Sequence, residues 1–184
     1  MDSTILSIFS TGDGVFMAFG NNAAELSCDN ALQILAEKAS QQKNGDFDYA
    51  GEVSSTDAFN YVRDNYSVIV DVRTAPEWQF IGVPDLSNTS SQLLNLSWKL
   101  YPSFTYNPKF ISDLTAENSI SQDTPLFFIC RSGGRSLDAA IAVSAVGYNY
   151  CFNITGGFEG AIDANGHRGT VHGWKYDNLP WIQG

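Results

Sequence analysis

The sequence is poor in cysteine and histidine, and these shortages exclude several classes of protein. Its 184 residues include three cysteines and two histidines. Three scattered cysteines, with no CxxC pair among them, are too few for a disulfide framework or a cysteine-based zinc site. Because structural disulfides belong to oxidising compartments, this cysteine content favours a reducing, cytoplasmic setting.

Positive charge and long apolar runs are also scarce. The net charge is −10, whereas duplex nucleic acid and anionic membranes both attract a cationic surface. No basic residue precedes Lys38, and Asp13 with the glycine on either side of it interrupts the apolar patches of the N-terminus. The N-terminus therefore matches neither a secretory signal nor a membrane span. We expect no nucleic-acid partner and no membrane association.

The apolar content is sufficient for a real core, and the chain divides into two parts. Apolar residues make up 43% of the sequence, and they recur at helical spacing over residues 22–39. The polar linker QQKNGDFD follows at residues 41–48. We predict an N-terminal extension with one helix (1–45), which begins with an irregular arm (1–21), and a main domain (46–184). The helix could cover the domain, mediate dimerisation or dock a partner.

Within the main domain, strand and helix patterns alternate. The short β-branched or aromatic runs SVIVDV (67–72) and LFFIC (126–130) are typical of strands buried on both sides. Further strands are predicted at 52–54, at 93–98 and from 148 onward. Helices are predicted at 55–64, 107–117 and 135–146, and a long loop at 73–91. This order predicts an α/β fold with a mostly parallel central sheet of about five strands and helices on both faces.

One cysteine stands where such a sheet binds its ligands. Cys130 ends a predicted strand, and ligands of parallel sheets bind beyond the carboxyl ends of the strands. Gly133 and Gly134 would let backbone N–H groups converge as an anion nest. The following helix start adds positive potential, and Arg131 and Arg135 add full charges. These effects favour a thiolate at Cys130 and would hold an anion beside its sulfur.

Three functions are compatible with a thiolate in an anion cradle. A cysteine phosphatase or arsenate reductase needs an arginine six positions after the cysteine, but that position holds Ser136, and Arg135 comes one residue early. The shorter loop favours a smaller reaction centre, namely one sulfur atom carried as a persulfide. Alternatively, the loop could serve only to bind a partner or to sense redox state.

Several motifs carry a family resemblance. CRSGGRS (130–136) resembles the six-residue active-site loop of the rhodanese family of sulfurtransferases. The stretch 71–73, DVR, and the acidic-aromatic pair that follows it resemble the second signature of that family. GGFEG (156–160) is similar to the segment after its last core strand, and the tail 166–181 looks like that of a bacterial single-domain subgroup. The family's Gly-His-Ile-x-Gly-Ala segment is absent, since GVPDL (82–86) takes its place.

The resemblance, which covers about residues 50–184, implies a rhodanese-like fold and a double-displacement reaction without a metal or organic cofactor. Cys130 would take a sulfur atom from a small sulfur-containing anion such as thiosulfate, or from a persulfide, and pass it to cyanide or a thiol. The acceptor could also be a protein. The implied substrate-binding residues are Arg131, Ser132, Gly133, Gly134, Arg135 and Ser136.

The resemblance also implies supporting roles. Asp71 and Arg73 would form a structural ion pair at the neighbouring strand end, with Glu77 as further support. Arg135 would hold the loop, and Arg131 would face the donor.

For the remaining residues we predict structural roles. Cys28 and Cys151 are expected to be packing residues. His167 and His172 are expected at the surface, and whether they or Arg168 reach the site is open. The aromatic residues that could wall the pocket are Trp78, Phe80, Trp98, Tyr101, Phe104 and Tyr106, and for most of them core or lid positions are predicted.

Overall fold

A computed structural model describes residues 22–43 and 45–184, with side chains from residue 29 onward. The arm predicted at 1–21 and the side chain of Cys28 lie outside the described residues. The first helix, α1, spans Asn22–Ser40, close to the helix predicted at 22–39. Among the described residues, no helix is long and apolar enough to cross a membrane.

Thirteen further elements follow α1 along the chain. They are β1 (Gly51–Val53), α2 (Ser55–Asp64), β2 (Val68–Asp71), α3 (Ala75–Ile81), β3 (Val83–Pro84), β4 (Gln92–Asn95), β5 (Lys99–Leu100), β6 (Thr105–Tyr106), α4 (Phe110–Thr115), β7 (Leu126–Ile129), α5 (Gly134–Ser144), β8 (Cys151–Ile154) and β9 (Trp181–Ile182).

Five of these strands form the central sheet, in the order β1-β8-β7-β2-β4. Every pairing within this sheet is parallel, which confirms the predicted fold class. The register places Asp71 opposite Ile129. The carboxyl ends of β2 and β7 therefore meet at one edge, and this edge carries the residues that directly follow each strand.

Helices cover both faces of the sheet. Alternate residues of a strand point to opposite faces. Phe128 of β7 and Cys130, which follows the strand, lie in one apolar cluster, whereas Phe127 and Ile129 lie in the other. The first cluster is completed by residues of α4 and α5, and the second by residues of α1 and α2. Cys130 thus lies on the face that α5 covers.

The helix of the N-terminal extension packs on the edge of this sheet. Leu32 and Ala39 of α1 belong to the same apolar cluster as Val53 of β1. A Cβ atom on Gly51 would lie 2.2 Å from the carbonyl oxygen of Ala39, so the end of α1 touches the backbone of β1. Of the roles considered for this helix, covering the domain is the one observed. The division at residue 45 stays a prediction.

The prediction of a long loop at 73–91 is wrong, because this segment contains α3 and β3. Thr74 and Glu77 form a capping box, and Pro76 lies in the first turn of α3, a combination that starts helices. Strand β3 pairs with β9 at the far end of the chain, and no local pattern could reveal this pairing. The segment GVPDL (82–86) therefore contains the short strand β3, which pairs with β9 near the C-terminus.

Other predicted boundaries shift by a few residues. The strand predicted at 93–98 is β4, which ends at Asn95, and the hairpin of β5 and β6 follows it. The helix predicted at 107–117 is the shorter α4, because Asn107 and Lys109 make turn contacts before it instead of helical ones. The strand predicted from 148 begins only at Cys151.

Candidate active site

Cys130 lies directly beyond the end of β7 and is 1% exposed. Its Sγ accepts a hydrogen bond from the backbone N–H of Gly133 at 3.1 Å. The hydroxyl of Ser136 lies 3.2 Å from the same sulfur, and 3.0 Å from the carbonyl oxygen of Gly133. Donors at these distances from the sulfur favour negative charge on it.

The turn after Cys130 depends on one glycine of the pair. Gly133 has a φ of 102°, and α5 begins at the next residue. This left-handed conformation turns its N–H back toward the sulfur, and it strains any residue with a side chain. Gly134 has no such φ, and a Cβ there would meet no atom within 4 Å. Only Gly133 is therefore required by the backbone geometry.

The segment GGFEG supports the cysteine loop from the side of β8. The N–H of Phe158 donates to the carbonyl oxygen of Cys130 at 2.7 Å. The N–H groups of Glu159 and Gly160 both donate to the carbonyl oxygen of Arg131, at 2.9 and 3.1 Å. These bonds fix the carbonyl oxygens of the first two loop residues, Cys130 and Arg131, to the GGFEG segment.

Arg135 is held by Glu77 of α3. Its Nη1 and Nη2 donate to the two carboxylate oxygens of Glu77 at 2.8 and 2.6 Å. The N–H and hydroxyl of Thr74 donate to the same carboxylate. Burial alone would raise the pKa of Glu77, but the bonds from Arg135 and Thr74 outweigh it and lower this pKa from 4.5 to about 2. Arg135 thus ties α3 to the start of α5.

Replacing Glu77 by glutamine should lower the free energy of unfolding at pH 7 by about 1.5–3 kcal/mol, the contribution of a hydrogen bond to a charged group. The folded-state pKa lies below the unfolded one, so the contribution is fully present above pH 4.5 and is lost as the pH falls toward about 2. Urea denaturation of the wild type and of Glu77→Gln at pH 7 and at pH 3 measures the difference in their free energies of unfolding. A difference that does not shrink at pH 3 would contradict the charge-based account.

Asp71 and Arg73 form a second ion pair at the end of β2. Both side chains are 0% exposed, and the Nη2 of Arg73 lies 2.5 Å from Asp71 Oδ2. The Nε of Arg73 donates to the same carboxylate, and its Nη2 also donates to the carbonyl oxygen of Gly82 at 2.7 Å. The guanidinium lies 4.1 Å from the ring centre of Phe158. The pair thereby connects β2, the end of α3 and the GGFEG segment.

A cavity of about 480 Å³ opens beside the cysteine loop. Its apolar walls include Tyr101 and Phe104 from the hairpin loop and Pro76 and Ile81 from α3. Its charged lining residues are Glu77, Lys99, Arg131, Arg135, Glu159 and Arg168. Since Glu77 neutralises Arg135, three cations face one carboxylate. The cavity is thus positive although the whole chain is acidic, as expected for an anion site.

The structure brings most of the predicted residues together, and it separates others. Arg131 and Ser132 are exposed at the loop, and Arg168 reaches the cavity. His167 and His172 are exposed and do not line it. Of the six aromatic residues considered, only Tyr101 and Phe104 do. Sequence reasoning missed Lys99 and Glu159 as lining residues. For Glu159 the signal was its place in the GGFEG motif, whereas Lys99 carries none.

The second described cysteine does not belong to the site. Cys151 pairs with Leu126 at the start of β7, whereas Cys130 follows the end of that strand, about 13 Å away at 3.3 Å per residue. Burial raises the pKa of Cys151 to about 12, so it stays a thiol. Among the described residues, no group of three or more His, Cys, Asp and Glu side chains could hold a metal ion.

Fold and site together define an α/β protein with a buried cysteine and a positive cavity at the carboxyl edge of a parallel sheet. Comparison with known proteins then identifies the family: the model of the rhodanese-like domain matches residues 56–164. The chain belongs to the rhodanese-like domain family, and the predicted resemblance is confirmed.

Individual relatives agree with this family. The chain is 39% identical over 130 residues to the uncharacterized protein RP600 of Rickettsia prowazekii, a match that covers 70% of this chain and 94% of that protein. It is 40% identical to Rv0390 of M. tuberculosis, whose crystal structure superposes with a TM-score of 0.68. That alignment covers 74% of this chain and 99% of the other. Both relatives are matched over almost their whole length, so the single-domain bacterial type fits.

Proposed function

We propose that this protein is a sulfurtransferase, in which Cys130 carries a sulfur atom from a small anionic donor to a thiol or cyanide. The observation that carries the proposal is the environment of the sulfur: Gly133 N–H and the Ser136 hydroxyl both lie within hydrogen-bond distance of Sγ. The thiolate is the form of cysteine that acts as a nucleophile, and these donors stabilise it. Membership of the rhodanese-like family supports the same chemistry. We place the reaction in the cytoplasm and assign it no cofactor.

In the first half-reaction, Arg131 and the cavity cations attract the donor, for example thiosulfate. The Cys130 thiolate attacks the outer sulfur of the donor, and a new S–S bond forms. The S–S bond of the donor breaks, and its electron pair leaves with sulfite. The loop N–H groups and Ser136 then stabilise the anionic persulfide. In the second half-reaction, a thiolate or cyanide takes the outer sulfur, and Cys130 is released as a thiolate.

Sulfur transfer is favoured over phosphoryl transfer by the state of Arg135. A cysteine phosphatase needs an arginine free to clamp a tetrahedral phosphate, but Arg135 is engaged through two hydrogen bonds with Glu77. Position 136, where that chemistry needs the arginine, holds a buried serine. The loop therefore suits a single sulfur atom better than a phosphate group.

Intact-mass measurement tests the proposal. The reduced protein is incubated with thiosulfate, the excess donor is removed, and the intact mass of the protein is measured. We expect a gain of one sulfur atom, which cyanide removes and which Cys130→Ser abolishes. Cys151→Ser is the matched control, and it should take up sulfur like the wild type because Cys151 lies at the other end of the strand. A wild type that gains no mass from thiosulfate or inorganic polysulfide would favour a binding or redox-sensing role.

A further inference from the structure

The cavity beside Cys130 holds more charge than the cysteine loop accounts for. Lys99, Arg131, Arg168 and Glu159 all line it. Within the described part of the chain, none of these four side chains takes part in an ion pair. By contrast, Arg135 is neutralised by Glu77. Charges of both signs without an ion-pair partner around one cavity complement a ligand that also carries both signs.

Three of these charges come from segments outside the cysteine loop. Lys99 belongs to β5, and its Nζ lies 4.7 Å from the ring centre of Tyr106. Arg168 comes from the tail, and its Nη1 donates to the carbonyl oxygen of Gly160. The carbonyl oxygen of Glu159 accepts from Gly169 N–H at 2.6 Å. The hydrogen bonds between the tail and the GGFEG segment keep Arg168 and Glu159 at the same cavity.

The size and walls of the cavity point to an organic ligand. Cys130 is almost fully buried, whereas Tyr101 and Phe104 are 61% and 50% exposed. The cavity therefore extends from Arg131, the residue that follows Cys130, to an exposed aromatic rim. Its volume of about 480 Å³ lies in the range of pockets that hold organic molecules. Thiosulfate and cyanide have no positive group for Glu159 and no carbon chain for the rings.

We propose that the sulfur acceptor is an amino-acid-type thiol, which carries both a carboxylate and an ammonium group. Lys99 and Arg168 bind the carboxylate, and Glu159 binds the ammonium. The inference rests on the proposed sulfur transfer and names the acceptor class for the same site. The acceptor thiolate attacks the outer sulfur of the Cys130 persulfide. The S–S bond to Cys130 breaks, Cys130 leaves as a thiolate, and the acceptor leaves as a persulfide.

Four small thiols that differ in their charged groups distinguish the contact to the carboxylate from the contact to the ammonium group. The protein is loaded with sulfur from thiosulfate or inorganic polysulfide, and the second-order rate of sulfur loss is followed by intact mass. The acceptors are cysteine, 3-mercaptopropionate with only the carboxylate, cysteamine with only the ammonium, and 2-mercaptoethanol with neither. Rates are divided by the thiolate fraction of each compound. We expect cysteine to exceed 2-mercaptoethanol by about tenfold or more, with the two singly charged thiols in between.

Variants then assign each contact. Glu159→Gln should remove the advantage of cysteine over 3-mercaptopropionate, and Lys99→Gln should reduce the advantage of cysteine over cysteamine. Lys109→Gln changes an exposed lysine that does not line the cavity; it is the matched control and should leave all ratios unchanged. A loaded protein that reacts equally with the four thiols would overturn this inference and leave sulfur transfer intact. A protein that takes up no sulfur from either donor would overturn both.

Discussion

The Asp71→Ala variant is expected to lose about 3–5 kcal/mol of its free energy of unfolding, because it leaves one charge of a buried ion pair without its partner. Both side chains of the Asp71–Arg73 pair are 0% exposed. After the substitution, the guanidinium would keep only its bond to the carbonyl oxygen of Gly82. Its Nη1 already has no partner among the described residues. The loss is a large share of the 5–15 kcal/mol of a typical domain, and urea denaturation measures it.

The exposed pair of Arg63 and Asp64 provides the matched control. It has similar bond lengths, 2.8 and 2.7 Å, but its side chains are 52% and 59% exposed. Asp64→Ala should therefore leave the denaturation midpoint unchanged, because solvent screens that pair. The double variant Asp71→Leu with Arg73→Met removes both charges and should recover much of the lost stability. An Asp71→Ala protein as stable as the wild type would show that the pair does not anchor β2.

The sequence was most informative where the structure is determined by neighbouring residues. The buried strands β2 and β7 were predicted as continuous apolar runs, and the sheet confirms them. The cysteine loop was predicted as an anion cradle because its parts are contiguous: a strand end, a turn glycine and a helix start. The structure adds the donors on the sulfur, Gly133 N–H and the Ser136 hydroxyl. Ser136 was read from the sequence as a substrate-binding residue.

Elements that depend on distant partners were not predictable in the same way. Strand β3 exists because β9, about a hundred residues later, pairs with it. The partner of Arg135 is Glu77, 58 positions away, and spacing gives no information about that distance. The resemblance supplied Glu77 as support, whereas its bidentate contact with Arg135 is a property of the fold.

The cavity shows the same limit for function. Lys99, Glu159 and Arg168 come from a hairpin, a loop and the tail, and only folding brings them to one cavity. The sequence shows which residues carry these charges. It did not indicate which cations stay unpaired, because pairing is decided in three dimensions.

The Gly157→Ala variant should lose both stability and sulfur uptake, because Gly157 lies against the backbone of the cysteine loop. A Cβ atom there would be 2.4 Å from the carbonyl oxygen of Cys130 and 2.8 Å from the backbone N of Ser132. Gly157 also has a φ of 61°, so the substitution adds backbone strain to the clash. We expect the free energy of unfolding to fall by about 2–5 kcal/mol. Urea denaturation and the rate of mass gain from thiosulfate measure the two effects.

The functional part of this expectation follows from the hydrogen bond between Phe158 N–H and the carbonyl oxygen of Cys130, 2.7 Å long. An alanine at 157 displaces this carbonyl and with it the cysteine loop, so the N–H of Gly133 no longer points at the sulfur. Gly134→Ala is the matched control within the same loop, since its Cβ would meet open space. Alanine at this first position of α5 should leave uptake unchanged and add up to about 1 kcal/mol of stability. If Gly157→Ala takes up sulfur as fast as Gly134→Ala, the position of the thiolate does not depend on support from the GGFEG segment.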